Sequence, residues 1–213
     1  MIKVENIETW GFEHAIRGMR NPLNSWSRSD SSFGYEAYSG EFVPDLKIGE
    51  NDLKLMRQLY VGGQPHRKYL RQIFAVMDIT APLYWWKEFD TYKVGTTANS
   101  CSTMHKIAAM EFSIEDFSDE HLETGWLACL DDTIIPLLNR ARTKFIATKD
   151  KRYWWQMIQL LPSSYNQRRT VSMTYENVMN MLDYREGHKL DEWREFCKIL
   201  KQLPYVEEIR DGR

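Results

Sequence analysis

Residues Tyr84 to His105 read YWWKEFDTYKVGTTANSCSTMH, and the change of character halfway along decides how the chain is read. Tyr84, Trp85, Trp86 and Phe89 form a helix-like aromatic run, bulky and apolar as a buried element would be. From Gly95 on, nine consecutive residues, GTTANSCST, are small, and most carry a hydroxyl, amide or thiol. Short side chains let backbone N–H groups come close to a ligand with many polar atoms, so the run makes a poor core and a good lining. The same composition also suits a solvated Ser/Thr loop. The rest of the chain has to decide between them.

At 213 residues the chain is long enough for a proper core and is expected to be one domain, residues 1–213. The 43% hydrophobic and 13% aromatic content places it in the globular class. A net charge of −2 and a pI near 6.2 give no global pull toward nucleic acid polymers or anionic membranes. Cys101, Cys129 and Cys197 are odd in number, widely spaced and without a CxxC, so neither a disulfide framework nor a zinc site is suggested. No apolar run is long enough to span a membrane, and MIKVENIETWGFEHAIRG lacks a signal-peptide core. A cytoplasmic protein is expected.

Met1 to Ile7 alternates weakly, as a short first strand would. Residues 14–40, rich in Gly, Ser, Asn and Arg, read as one long irregular segment. Arg17, Arg20 and Arg28 make it locally basic, facing either a phosphate or solvent. Asn51 or Asp52 is expected to cap a helix ending at Gly62-Gly63, and Pro65 to open a second helix reaching about Phe74. Ile73 to Ile79 alternates and suits a strand equally well.

The longest helical pattern starts near Ser118 and runs to Phe145, with Pro136 expected to kink or split it. Asp150 to Leu161 reads as a helix, Ser163 to Thr170 as a basic turn, and Thr170 to Met173 as a short strand. Thr174 looks like the N-cap of a helix over Tyr175 to Tyr184, and Asp191 to Leu203 carries a last one. The pattern is that of a helix-rich α/β or α+β chain.

The order of these pieces resembles the flavin-dependent thymidylate synthase family. Its signature, R-H-R-x-x-S-x-N-x-x-S after an upstream histidine, falls here on Tyr92 to Ser102 and on His66. Asn99 and Ser102 match, and Thr97 stands in for the first serine. Leu161-Pro162, the basic turn, the short strand and the helix ending in Arg185 continue the likeness, which spans roughly Gly63 to Leu203. The departures are specific. The Arg-His-Arg triplet becomes Tyr92-Lys93-Val94, and the Asn and Arg of a T-x-N-x-R segment become Thr174 and Glu176, reversing one charge and removing a bidentate donor fork.

The resemblance implies an α/β thymidylate synthase fold assembled as a homotetramer, with ligand sites formed between subunits. It implies methylation of dUMP using methylenetetrahydrofolate, NADPH and FAD. The alternative is a protein that kept the scaffold for nucleotide binding or assembly and lost the chemistry, which the substitutions at Tyr92-Lys93-Val94 and Glu176 favour. Carried onto this sequence, the flavin contacts are His66, Lys93, Thr97, Asn99 and Thr174. Substrate contacts are Ser100, Cys101, Ser102, Arg168 and Arg185, with Arg185 and Ser102 in the catalytic positions.

Each of these has a plainer reading. Arg185 at a helix end complements the dipole, and Arg168 beside Arg169 suits a solvated turn. Ser102 has only His105 at helical distance, with no acid to complete a triad. His66 suits a surface or capping role. The Trp85-Trp86 and Trp154-Trp155 pairs read as core or subunit interface rather than stacking platforms.

Overall fold

A computed structural model describes residues 2–38 and 41–211, with the side chains of 35–44 left out of the description. A four-stranded antiparallel sheet carries the fold, in the order β1 (Lys3–Trp10), β4 (Phe74–Pro82), β6 (Asn166–Thr174), β5 (Thr96–Ser100). Strict alternation along β4 explains its central place. Ala75, Met77, Ile79 and Ala81 are fully buried, while Val76, Asp78 and Thr80 face the other way and are half-buried. The ambiguous run from Ile73 is therefore strand. Strand β1 reaches further than expected, to Trp10, and bends at a bulge between Glu5 and Glu8, where Asn6 takes a φ of 53°.

The inner face of the sheet packs on helices that supply one continuous core. Phe12, Ala15, Ile16 and Met19 come from α1 (Phe12–Arg20), and Leu53, Met56 and Tyr60 from α2 (Glu50–Val61). Helix α3 (Leu83–Phe89) sets Trp85, Trp86 and Phe89 against Trp193 and Phe196 of α9 (Asp191–Lys201), with α8 (Tyr175–Arg185) alongside. Trp85 lies 4.9 Å from both Trp86 and Trp193, centroid to centroid, and 5.3 Å edge-on from Phe196. Such pairs add about 0.5–1.5 kcal/mol each beyond area burial. The Trp85-Trp86 pair is core.

A second apolar cluster joins Ile107, Phe112, Phe117, Leu130, Ile135, Leu138, Ala141 and Met157. It is built by a short α4 (Thr103–Lys106), α5 (Thr124–Cys129), α6 (Ile135–Thr148) and α7 (Lys151–Leu160). The helix expected from Ser118 begins six residues later, because Phe117 and Ser118 are held in extended form against Ser164 and Tyr165. Between α5 and α6 the chain makes one π-helical stretch, Leu130–Ile134, just ahead of Pro136. Pro136 has no N–H to give and its ring crowds the carbonyl four residues back, so a widened turn accommodates it without breaking the helix. Trp154 is half-buried, but Trp155 is 43% exposed and lies outside the core.

Residues 14–38 are far from irregular. Most of α1 falls there, followed by two 3-10 turns (Asn21–Leu23 and Trp26–Arg28) and strand β2 (Ser32–Tyr38), which pairs with β3 (Glu41–Lys47). Residues 39–40 of the expected segment lie outside the described residues. The reason is a buried polar knot. Asp52 is fully buried and accepts from Arg20 Nε at 2.5 Å, from the hydroxyls of Ser29 and Ser31, and from the backbone N–H of Asp30 and Ser31. Asp52 therefore anchors the preceding loop, and Gly49 takes the N-cap position of α2 that Asn51 or Asp52 was expected to fill. Past Pro65 the second expected helix shrinks to a 3-10 turn, Arg67–Arg71. A further short helix, α10 (Val206–Arg210), follows Pro204.

Candidate functional site

The small polar run forms β5, an edge strand with one neighbour, and is pinned at both ends. At its start Gly95 has φ +75°, and a Cβ there would meet Thr174 Oγ1 at 3.1 Å and Asn177 Nδ2 at 3.2 Å. Thr174 donates its N–H to the Gly95 carbonyl at 3.1 Å, and Asn177 Nδ2 donates to Val94 O (2.7 Å) and Thr96 Oγ1 (2.9 Å). At its end Cys101 N donates to Arg168 O, and Gln167 Nε2 donates to Cys101 O at 2.8 Å. Ser102 then caps α4, its Oγ accepting from His105 N at 3.1 Å. Between these pins Thr97, Ala98, Asn99 and Ser100 are exposed.

Register sorts the neighbours onto two faces. Thr97 lies opposite Ser172, and Asn99 opposite Thr170, on the outward face with Arg168. There Asp78 is the hub. It accepts from Thr170 Oγ1 (2.5 Å), Arg168 Nη2 (2.7 Å) and Asn6 Nδ2 (2.8 Å). The Thr170 hydroxyl, then Arg168 and Asn6, hold its carboxyl well below the usual carboxylate range. Arg168 thus sits on a strand rather than in the turn expected over Ser163 to Thr170, because β6 begins at Asn166.

On the inward face Arg169 lies 4.2 Å over the Trp86 ring and pairs with Asp90 at 2.7 Å. A cleft of about 410 Å³ opens beside it, lined by Phe89, Asp90, Tyr92, Lys93, Thr96 and Ala98. Lys93 is exposed at this cleft. Behind Tyr92 stands Arg185, whose Nε donates to Tyr92 Oη (3.1 Å) and whose Nη1 pairs with Glu88 (2.9 Å). Its guanidinium also covers Trp193 at 5.1 Å, and His188 reaches the same Glu88 carboxylate at 3.2 Å.

The expected site residues therefore fall into groups. Lys93, Thr97, Asn99, Ser100, Cys101, Ser102 and Arg168 gather along β5, and the last three line a small recess of about 90 Å³ with Lys106 and Tyr165. Arg185 backs the Lys93 cleft through Tyr92. Thr174 is 7% exposed and its hydroxyl accepts from Asn177 N, capping α8 as expected. His66 is elsewhere, at a cleft between α1 and α2.

Glu176 pairs with Arg71 at 2.6 Å and with Arg67 at 3.9 Å. Asp78, Asp90 and Asn177 went unnoticed in the sequence. An acid in the middle of an alternating strand was the available signal for Asp78. Among the described residues no three His, Cys, Asp or Glu side chains are placed to hold a metal ion, and no helix is long and apolar enough to cross a membrane.

This architecture is the flavin-dependent thymidylate synthase fold. The chain is similar along its whole length to ThyX from Helicobacter pylori, in two solved structures that contain FAD and dUMP. Both give a TM-score of 0.68 at 16% identity. One covers 99% of this chain and 99% of the other, and the second covers 100% and 99%. No protein-family model matches the sequence, and no curated protein does.

Tested against FAD, the residues of one chain fit only in part. Lys93, Thr97 and Asn99 are exposed at β5, whereas Thr174 is spent on a cap and His66 lines a different cleft. A single chain does not assemble the set.

Proposed function

We propose that this protein binds a nucleotide monophosphate such as dUMP at the β5 edge, on a thymidylate synthase scaffold that also takes FAD between copies of the chain. The observation that carries this reading is β5 itself. It is an edge strand of small hydroxyl and amide side chains, exposed between rigid pins and flanked by Lys93 and Arg168. It belongs to a fold matched over its full length by proteins solved with FAD and dUMP.

Lys93 supplies an unburied cation for a phosphate and Ser100, on the same face of β5, a hydroxyl for sugar or base, while Thr97 and Asn99 offer hydrogen bonds on the opposite face. Turning dUMP into dTMP requires a two-electron reduction of the transferred one-carbon unit, which bound flavin with NADPH would supply.

A second reading has its own observation. Arg185 and Glu176 are each engaged within the chain, by Glu88 and Tyr92 and by Arg71 and Arg67. A binding or assembly protein that keeps the nucleotide and has lost the methyl transfer accounts for that.

Calorimetric titration with dUMP tests the binding. Lys93→Glu should weaken it by about tenfold to a hundredfold, the scale of one charge-assisted contact, and Arg185→Ala should weaken it by releasing Tyr92 at the cleft. Arg28→Ala should do much less. If Arg28→Ala abolished dUMP binding while Arg185→Ala left it unchanged, the site would be misplaced. Formation of dTMP from methylenetetrahydrofolate, NADPH and FAD separates the two readings.

A further inference from the structure

The turn that reverses the chain from α6 into α7 is both basic and aromatic. Residues 140–155 carry six cations, Arg140, Arg142, Lys144, Lys149, Lys151 and Arg152, against a single acid, Asp150. That acid is already spent. Its carboxylate caps α7, accepting from Arg152 N at 2.9 Å, and pairs with the Arg152 guanidinium at 2.6 Å. Arg140, Lys144, Lys149 and Lys151 are exposed, and among the described residues none of them meets a carboxylate. The net charge of −2 conceals this local excess, since the potential at a surface follows its nearest charges and is screened beyond about 10 Å.

The lysines stand over aromatic rings. Lys144 lies 5.2 Å from the centre of Tyr153, Lys149 6.0 Å from Phe145, and Lys151 5.7 Å from Trp155. Trp155 is 43% exposed and packs edge-on at 4.7 Å against Trp154, whose indole N–H donates to Met104 O at 3.1 Å. An exposed indole therefore sits on a fixed support. The turn is fixed as well. Lys149 has φ 56° and donates its N–H to Phe145 O at 2.8 Å, and Asp150 N donates to Thr148 Oγ1 at 3.2 Å. Between the two helices Arg140, Lys144, Tyr153 and Gln156 line a cleft of about 170 Å³ that holds no carboxylate.

We propose that this turn binds single-stranded nucleic acid, with phosphates on Lys144, Lys149 and Lys151 and a base stacked on Trp155. Unpaired cations alone suit any polyanion. The exposed ring among them favours nucleic acid, because every base has a π-face to stack and a run of acidic residues offers none. An open strand fits better than a duplex, whose bases are already stacked on one another. Charge of one sign also opposes burial of this face against the same face of a second copy. The proposal is independent of dUMP binding at β5, whose clefts are lined by none of these residues.

The test is fluorescence anisotropy with a labelled oligothymidylate of about 15 nucleotides, a length within reach of one strand-binding surface. It is run on the wild type, Lys144→Glu/Lys149→Glu/Lys151→Glu, Trp155→Ala and Lys93→Glu. The altered side chains are exposed, and circular dichroism checks that the variants fold. Three neutralised phosphates predict an affinity that falls roughly twentyfold between about 50 and 200 mM salt. The triple reversal should weaken binding by about a hundredfold or more and flatten that salt dependence. Trp155→Ala should weaken it by roughly fivefold or more, while Lys93→Glu leaves it unchanged.

No binding by the wild type at low salt would overturn the proposal, as would binding indifferent to the triple reversal. An affinity unchanged in Trp155→Ala would refute the stacked base. Polyglutamate displacing the strand as readily as unlabelled oligothymidylate would mark a general polyanion surface and refute the nucleic-acid reading. Loss of binding in Lys93→Glu would move the strand to β5 and overturn the assignment to this turn. Titrating dUMP on the triple variant, which should bind it as the wild type does, reads the β5 site separately, so the two proposals fail independently.

Discussion

At the scale of single residues, Asp52 shows how one buried carboxylate can organise a loop that looks structureless in the sequence. Burial alone would raise its pKa from the ordinary 3.8, but bonds from Ser31, Ser29 and Arg20 outweigh it, and the net shift is downward. The folded-state value therefore lies below the unfolded one. The stabilisation is fully present above about pH 4 and is lost as pH falls through the folded value. Asp52→Ala leaves the Arg20 charge buried without its partner, which costs about 3–5 kcal/mol. Urea denaturation at neutral pH should show a loss of that size. The wild type's advantage over the variant should shrink in acid. An Asp52→Ala protein as stable as the wild type would refute the anchoring role.

At the scale of elements, β5 depends on Gly95. A Cβ there must adopt φ +75° and crowd Thr174 and Asn177, the two residues that fix the strand's start. Gly95→Ala should cost about 1–3 kcal/mol in denaturant titration and weaken dUMP further, by displacing the strand. A variant unchanged in both would remove the pin from the account.

Local elements were legible in the sequence: Thr174 caps its helix as read, because a cap is satisfied within three residues. Pairing was not legible. Whether Arg168 or Arg169 faces outward depends on the register of β6 against β4 and β5, and Asp52 finds its partners 21 to 32 residues away. The candidate site residues were thus readable only as residue types in a given order. Their division between two sheet faces was set by tertiary contacts that no local pattern records.

At the scale of the molecule, apolar surface remains outside both cores: Trp10 is 46% exposed, Trp126 67% and Val94 89%. The division of the expected flavin set within one chain agrees with sites completed by a second copy, and these exposed side chains are available to such contacts. We therefore expect a stable homo-oligomer, a tetramer. Light scattering should give about four times the 25.3 kDa of one chain, and 25 kDa across micromolar concentrations would contradict it.

The central claim, a flavin and nucleotide site altered at Lys93 and Glu176, is tested most directly by the visible spectrum of the purified protein titrated with FAD, with and without dUMP. The account predicts little bound flavin alone and a bound-flavin spectrum once dUMP is added. Tight, stoichiometric FAD in the protein as purified would show that the substitutions matter less than argued. No flavin bound even with dUMP would contradict the flavin site itself.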